Sequence, residues 1–167
     1  MSNNANQVEM MPAEQALLEL FEKYIGEHVK SYPKWKMCCG RSEFKSPFME
    51  DAPLESRVSL EIECLRSCCT KHRDDSVPSM HVHGLSIGCT FSLSGRSYAS
   101  LSAYFTGMDD YDEEQLAFLF EQIDFAPPPS AETLLEAARA KLAGIPAAIA
   151  LLSKDRTPWT TRAFGAP

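Results

Sequence analysis

The stretch His81–Phe105, HVHGLSIGCTFSLSGRSYASLSAYF, decides the fold because its side chains alternate between apolar and small polar types. The odd positions from 85 to 93 are apolar, and after a Gly-Arg pair so are the odd positions from 99 to 105. A period of two is typical of a β-strand with one buried face. The stretch therefore predicts two strands that are joined near Gly95.

The same residues predict the register of this hairpin. In an antiparallel pair, residues directly opposite each other lie on the same face of the sheet. A two-residue turn would set each apolar residue against a polar one, and burial of the apolar side chains disfavours that arrangement. A three-residue loop, Ser94–Arg96, instead pairs Phe91 with Ala99 and Cys89 with Leu101. We expect that register.

The N-terminal half contains weaker patterns of the same kind. Apolar residues at helical spacing predict a helix that starts at Pro12. Alternation predicts a short strand at Trp35–Cys39 and a longer one at Arg57–Cys64. The polar segments 40–56 and 66–79 are expected to be loops.

Helices are predicted for the C-terminal part of the chain. Apolar spacing indicates a helix that includes Ile123 and is broken by the proline run after Phe125. Ser130 is a capping residue for the next helix, which is expected to end at Leu142, and a short helix is expected at 147–152.

These elements occur in the order αββββαα. We expect an α+β fold in which an N-terminal helix and C-terminal helices cover at least one face of a four-stranded antiparallel sheet. A chain of 167 residues fits one domain, expected at 12–156 between flexible tails at 1–11 and 157–167.

Composition narrows the function classes. A net charge of −7 argues against direct binding of nucleic acid, because such proteins need clustered lysine and arginine to neutralise phosphates. No apolar run reaches the roughly 20 residues that a membrane span requires. The N-terminus has no basic head followed by an apolar core, so we expect a cytoplasmic protein with reduced cysteines.

The negative charge is concentrated in the last third of the chain. Residues 107–167 hold ten acidic and five basic groups, whereas residues 57–106 hold four and five. The densest part contains Asp109, Asp110, Asp112 and Glu113. We expect these carboxylates to bind a basic surface of another protein, or to mimic DNA. The alternative is that they cap a helix and keep the protein in solution.

Cysteine and histidine residues form a candidate zinc site in the second half of the chain. The expected ligands are Cys68, Cys69, His72, His81 and His83. Zinc prefers four such ligands in a tetrahedral arrangement, although the paired two-residue knuckles of zinc fingers are absent from this spacing. The hairpin register places His81 beside Asp109, which leaves open a two-histidine, one-carboxylate metalloenzyme. The alternative is that both histidines end the sheet without binding a metal.

The even-numbered face of the hairpin has a different composition. It carries glycine and serine at most positions, with Tyr98 and Tyr104 near its two ends. Small side chains with rigid aromatic anchors suit the docking of a partner or of a second copy, so a homodimer stays open. The alternative is that the C-terminal helices cover this face.

No catalytic motif stands out in the sequence. We therefore expect a non-enzymatic accessory protein of a bacterium or its mobile elements, which acts as an inhibitor, immunity or chaperone-like protein. Its binding residues would be the acidic cluster 109–113 together with Tyr98 and Tyr104. The alternative is a zinc-binding protein or small metalloenzyme that uses the cysteine and histidine residues.

Overall fold

The computed structural model describes residues 9–45, 51–70, 79–92, 98–106 and 113–153. Its elements follow one another along the chain as helix α1 (Pro12–His28), strands β1 (Lys36–Lys45), β2 (Leu54–Thr70), β3 (Ser79–Ser92) and β4 (Ala99–Thr106), helix α2 (Glu113–Phe120), strand β5 (Ile123–Phe125), and helices α3 (Ala131–Leu142) and α4 (Ile145–Ser153). A short 3-10 turn, Val29–Ser31, follows α1. The α+β class with an antiparallel sheet and helices at both ends is confirmed.

The five strands form one sheet in the order β1-β2-β3-β4-β5, and each neighbouring pair is antiparallel. The predicted register of the hairpin is correct: Phe91 pairs with Ala99, and Cys89 with Leu101. The turn itself, at 93–97, lies outside the described residues.

The prediction of four strands is wrong, because Ile123–Phe125 pairs with the outer edge of β4. This segment was expected to continue α2, yet the helix ends at Phe120. The Lys141 ammonium group of α3 donates to the Leu119 carbonyl at 2.9 Å and to the Glu121 carbonyl at 2.5 Å. These bonds satisfy carbonyls at the end of α2, and the chain leaves the helix there.

Two strands are longer than predicted. β1 continues to Lys45 through a segment expected to be a loop, and β2 continues to Thr70 through the expected loop at 66–79. β1 pairs with β2 without interruption from Lys36 opposite Glu63 to Lys45 opposite Leu54. Ladder hydrogen bonds stabilise a polar strand when one of its faces meets solvent, so weak alternation did not reveal the true length.

The helices pack on one face of the sheet and enclose the core. Fully buried side chains of α1, such as Leu17 and Phe21, join strand residues such as Leu60 and Ile87 and the α4 residue Ile145 in one apolar cluster. Burial at this scale contributes roughly 1.5–3 kcal/mol for each large side chain.

A buried polar cluster attaches the start of α1 to the sheet. The Glu14 carboxylate is fully buried and accepts hydrogen bonds from the Met11 backbone N–H at 2.7 Å and from Arg41 Nε at 2.9 Å. The Ser56 hydroxyl donates to the same carboxylate. Three donors therefore compensate the loss of hydration of this charge and connect α1 with β1 and β2.

Candidate docking surface on the sheet

The face of the sheet opposite the core carries Tyr98 and Tyr104, the two predicted binding residues whose side chains the structure describes. Side chains alternate along each strand. Residues of even number on β1, β3 and β4 therefore share this outer face with residues of odd number on the adjoining part of β2. We define the outer face by its members: Lys36, Cys38, Gly40, Ser42, Phe44, Glu55, Arg57, Ser59, Glu61, Glu63, Gly84, Ser86, Gly88, Thr90, Ser92, Tyr98, Ser100, Ser102, Tyr104 and Asp124.

The described helices lie on the opposite side of the sheet. α3 and α4 contribute Leu134, Ala138 and Ile149 to the cluster on the apolar face, so they do not occupy the outer face. The two large hydrophobic side chains that are most exposed among the described residues are Phe44 at 37% and Tyr104 at 47%, and both lie on the outer face. In the part of the chain that the structure describes, this face is therefore open to a partner.

Arg57 makes the centre of the outer face flat. Its Nη1 atom donates to the Thr90 hydroxyl at 3.2 Å and to the Ser102 hydroxyl at 3.5 Å, so the side chain lies across β3. Its guanidinium carbon stands 5.6 Å from the centre of the Tyr104 ring, a cation–π distance. A Cβ atom at Gly88 would stand 2.9 Å from that carbon, so only glycine accommodates the arginine in this position.

Carboxylates on the outer face are fixed by neighbouring hydroxyl groups. The Ser86 hydroxyl donates to Glu61 at 2.8 Å, and Tyr98 donates to Glu55. The hydrogen bond to Glu55, together with partial burial, raises the pKa of Tyr98 to about 12, so this phenol stays protonated at neutral pH. Hydrogen bonds from the side chains of Ser100 and Gln122 lower the pKa of Asp124.

The outer face is acidic. Glu55, Glu61, Glu63 and Asp124 oppose only two cationic side chains, those of Lys36 and Arg57. No salt bridge among the described residues pairs Arg57 with a carboxylate, although Glu55 lies two positions away and Glu61 four positions away on its own strand. The surface offers hydroxyl groups, aromatic rings and negative charge, a combination that suits contact with another macromolecule.

The predicted binding residues are only partly placed by the structure. Tyr98 and Tyr104 both lie on the outer face, six residues apart and therefore about 20 Å from each other along the strand direction. Asp109, Asp110 and Asp112 lie outside the described residues. Glu113 is the first residue of α2, but its side chain lies outside the description as well.

Arg57 and the glutamates of β2 are not among the binding residues that the sequence predicts. Their places on this face depend on the β2–β3 register, in which Arg57 stands opposite Thr90 and Glu61 opposite Ser86. Alternation already indicated that the odd residues of β2 face solvent. The sequence feature that points to the position of Arg57 is Gly88, which lies on β3 diagonally across from this long cationic side chain on β2.

Four of the candidate zinc ligands, Cys68, Cys69, His81 and His83, belong to the far end of the β2–β3 pair. The expectation that Cys68 and Cys69 lie in a loop is wrong, because β2 runs to Thr70 and its register with β3 shifts between Arg66 and Thr70. The backbone of His83 stands opposite Cys64, and that of His81 opposite Arg66.

The side chains of these four predicted ligands, the whole of His72, and the position of Asp109 beside His81 lie outside the description. Among the residues that are described, no group of three or more histidine, cysteine or acidic side chains is placed to hold a metal. The zinc site stays a prediction.

Two cysteines are core residues, because they occupy inward-facing positions of β2 and β3. Cys64 and Cys89 are buried, and burial raises the pKa of the Cys89 thiol to about 12. Cys39 is partly buried, and its pKa is raised by that burial and by the Glu22 carboxylate of α1. The Cys39 and Cys89 thiols are therefore protonated at neutral pH. The buried Cys64 and Cys89 side chains serve as small apolar groups in the core.

Comparison with protein-family models, curated proteins and solved structures finds no match for the chain. None of the helices that the structure describes is long and apolar enough to span a membrane.

Proposed function

We propose that this chain is a non-enzymatic binding protein that docks a partner protein with a basic surface on its outer face. The observation that carries the proposal is the acidic sheet face that the described helices leave uncovered, with Tyr104 exposed at 47% in front of the flattened Arg57. Tyrosine and arginine are the residues most often responsible for binding energy at the centre of protein interfaces.

The size of the outer face fits a protein partner. β1 and β2 pair over ten residues and four strands lie side by side, which gives about 33 Å by about 19 Å, or about 600 Å² of flat surface. A stable interface of ordinary size buries about 800 Å² on each partner. The outer face and a narrow rim supply that area without a conformational change.

Its charge indicates the kind of partner. The four carboxylates favour lysine or arginine on the opposing surface, and such complementarity mainly accelerates association and selects among partners. The acidic cluster 109–113 follows β4 in the chain and, in this proposal, extends the negative surface beyond the sheet.

Within this class, the proposal is an accessory protein of the inhibitor, immunity or chaperone-like kind, working in the cytoplasm of a bacterium. Each of these acts by covering a surface of another protein, so a rigid face of small side chains is the feature they share. Ser86 is fully buried and Arg57 is bonded across β3, so little side-chain entropy is lost on contact.

The experiment begins with capture of the partner from native cells and continues with titration of the purified partner against variants. Replacing Glu61 and Glu63 by glutamine keeps their hydrogen-bonding shape and removes two charges. We expect association at low salt to slow by about tenfold, because electrostatic steering is lost. The control replaces Glu132 and Glu136, which are exposed on α3, by glutamine.

Tyr104→Ala tests the aromatic anchor separately. We expect it to raise the dissociation constant by at least tenfold, since truncation of such an anchor commonly costs about 2 kcal/mol or more. Equal binding by the wild type, the outer-face variants and the α3 control would contradict the proposal. A further variant tests whether the acidic cluster contributes to partner binding, and it replaces the carboxylates at positions 109, 110, 112 and 113 together by neutral side chains.

A further inference from the structure

Among the residues that the structure describes, the first strand of the sheet has an unpaired edge. β1 is the terminal strand in the order β1-β2-β3-β4-β5, and within the described ranges it pairs only with β2. No backbone hydrogen bond among the described residues reaches its other side. Ten residues of unpaired edge form a template for another strand. The opposite edge, at β5, is only three residues long.

No contact among the described residues explains a glycine at position 40 or an exposed phenylalanine at position 44 of this edge strand. A Cβ atom at Gly40 would meet no atom within 4 Å, so neither space nor backbone conformation requires glycine there. A glycine within a strand often marks the close approach of another backbone or side chain. Phe44, on the same face, is exposed at 37%.

Symmetric pairing of two β1 strands explains both residues. In an antiparallel pair, residues directly opposite each other share a face, so the numbers of opposing residues must sum to an even value. With Ser42 opposite Ser42 of the second copy, Phe44 stands opposite Gly40 of the second copy. An aromatic ring that covers a glycine of the neighbouring strand is a recognised way of stabilising sheets.

The charges of the edge strand select the same register. Arg41 and Glu43 lie on the inner side of β1, where they form a 2.5 Å ion pair in the single chain. Centring the pairing on Ser42 sets Arg41 opposite Glu43 of the second copy, and Glu43 opposite Arg41 of the second copy. A register centred on Arg41 would place Arg41 opposite Arg41 of the second copy, and like charges directly opposite each other are unfavourable.

Arg41 also has an unused donor. Its Nη2 atom is buried and has no hydrogen-bond partner among the described residues, although its other nitrogens bond to Glu14 and Glu43. A buried donor of a charged group that lacks an acceptor destabilises the fold. A second carboxylate arriving on the inner side of the edge strand brings an acceptor to this guanidinium.

We propose that two copies of this chain join through β1 to form a continuous antiparallel sheet, with Ser42 on the twofold axis. The contact covers residues 39–45 of each copy and leaves most of the outer face free. It is independent of the docking partner proposed above, because it uses the edge of the sheet.

A cysteine cross-link tests the register directly. Residues opposite each other across antiparallel strands have Cα atoms about 4.5–5.5 Å apart, within the range that a disulfide spans. We expect Ser42→Cys to form a covalent dimer under mild oxidation. The wild type measures the background from the native cysteines, of which Cys38 is exposed.

Ser59→Cys is the matched control for position. Ser59 lies on the outer face of β2, opposite Gly40, and Gly40 stands two residues from the twofold axis, so two copies of Ser59 are about 20 Å apart in the proposed dimer. No cross-link above the wild-type background is expected for this variant. Failure of Ser42→Cys to exceed that background, or equal cross-linking by Ser59→Cys, would overturn the proposal.

Reversible association gives an independent measurement. Sedimentation of the reduced wild type should show a monomer–dimer equilibrium. Phe44→Ser should raise its dissociation constant at least tenfold, while Tyr104→Ser, which removes the other exposed ring, should leave it unchanged. A wild type that remains monomeric at 100 μM, or equal effects of the two variants, would refute the dimer while leaving partner docking untouched.

Discussion

The close approach of Arg57 to Gly88 leads to a prediction about stability. In Gly88→Ala, the new Cβ atom would lie 2.8 Å from the Val58 carbonyl oxygen and 2.9 Å from the guanidinium of Arg57. Real Cβ atoms essentially never approach other atoms so closely, so the strand must shift and the arginine must leave its position. Its bonds to Thr90 and Ser102 would then be lost.

The expected size of the effect follows from these contacts. Overpacking costs about 1–3 kcal/mol, and loss of the 3.2 Å bond to Thr90 adds about 1 kcal/mol, whereas the 3.5 Å contact with Ser102 is at the limit of hydrogen bonding and adds little. We therefore expect a loss of about 2–4 kcal/mol in the free energy of unfolding. For a chain of this length, that loss lowers Tm by about 4–16 °C. Urea denaturation followed by circular dichroism gives the free energy of unfolding directly.

The matched control is Gly40→Ala on β1. No atom lies within 4 Å of the Cβ position at Gly40, so alanine meets no obstacle there. Replacement of a strand glycine by alanine stabilises by about 0.5–1 kcal/mol, because glycine loses more entropy on folding. Both variants are measured at the lowest protein concentration the signal allows, which minimises any contribution from association.

A double-mutant cycle separates the two close contacts of Gly88. In an Arg57→Ala background only the contact with Val58 remains, so Gly88→Ala should cost about 1 kcal/mol less than in the wild type. Wild-type stability of Gly88→Ala, or an equal loss in Gly40→Ala, would refute the account of how Arg57 lies on the sheet.

Three further predictions concern other parts of the molecule. Glu14→Gln removes the buried ion pair between Glu14, which is 0% exposed, and Arg41, which is 13% exposed. Denaturation should show a loss of about 3–5 kcal/mol in the free energy of unfolding, and a loss below 1 kcal/mol would contradict this expectation. Because the pKa of Tyr98 is raised to about 12, its hydrogen bond to Glu55 stabilises the fold below pH 10, and this stabilisation is lost as the pH rises towards about 12. The difference in stability between the wild type and Tyr98→Phe should therefore disappear over that range. A difference that persisted at pH 12 would count against that bond. Elemental analysis of protein purified without an affinity tag should find no stoichiometric zinc, and one zinc per chain would replace the binding proposal with the metal hypothesis.

The part of the fold that alternation determines was predictable. Leu85–Phe91 and Ala99–Phe105 can bury all their apolar residues together only in one register, and the structure has that register. Ile123 was assigned to a helix because it lies at helical spacing from Leu116 and Leu119. The bonds from Lys141 that satisfy the helix end are a tertiary feature that no local pattern reveals.

The candidate site was predictable only in outline. The small, flat composition of the outer face could be inferred from the glycines and serines of β3 and β4. Its acidic character and the position of Arg57 could not, because both depend on how β2 aligns with β3 across the connection at 71–78. Polar strands such as β1 alternate weakly, so its length and its exposed edge were also missed.

Cross-saturation NMR on the complex with the purified partner tests the docking surface most directly. Irradiation of the partner should transfer saturation to amides of the outer-face strands, including those of Ser102 and Tyr104, and leave α3 unaffected. Transfer confined to α1 and α3, with the strand amides silent, would contradict the proposed use of the sheet.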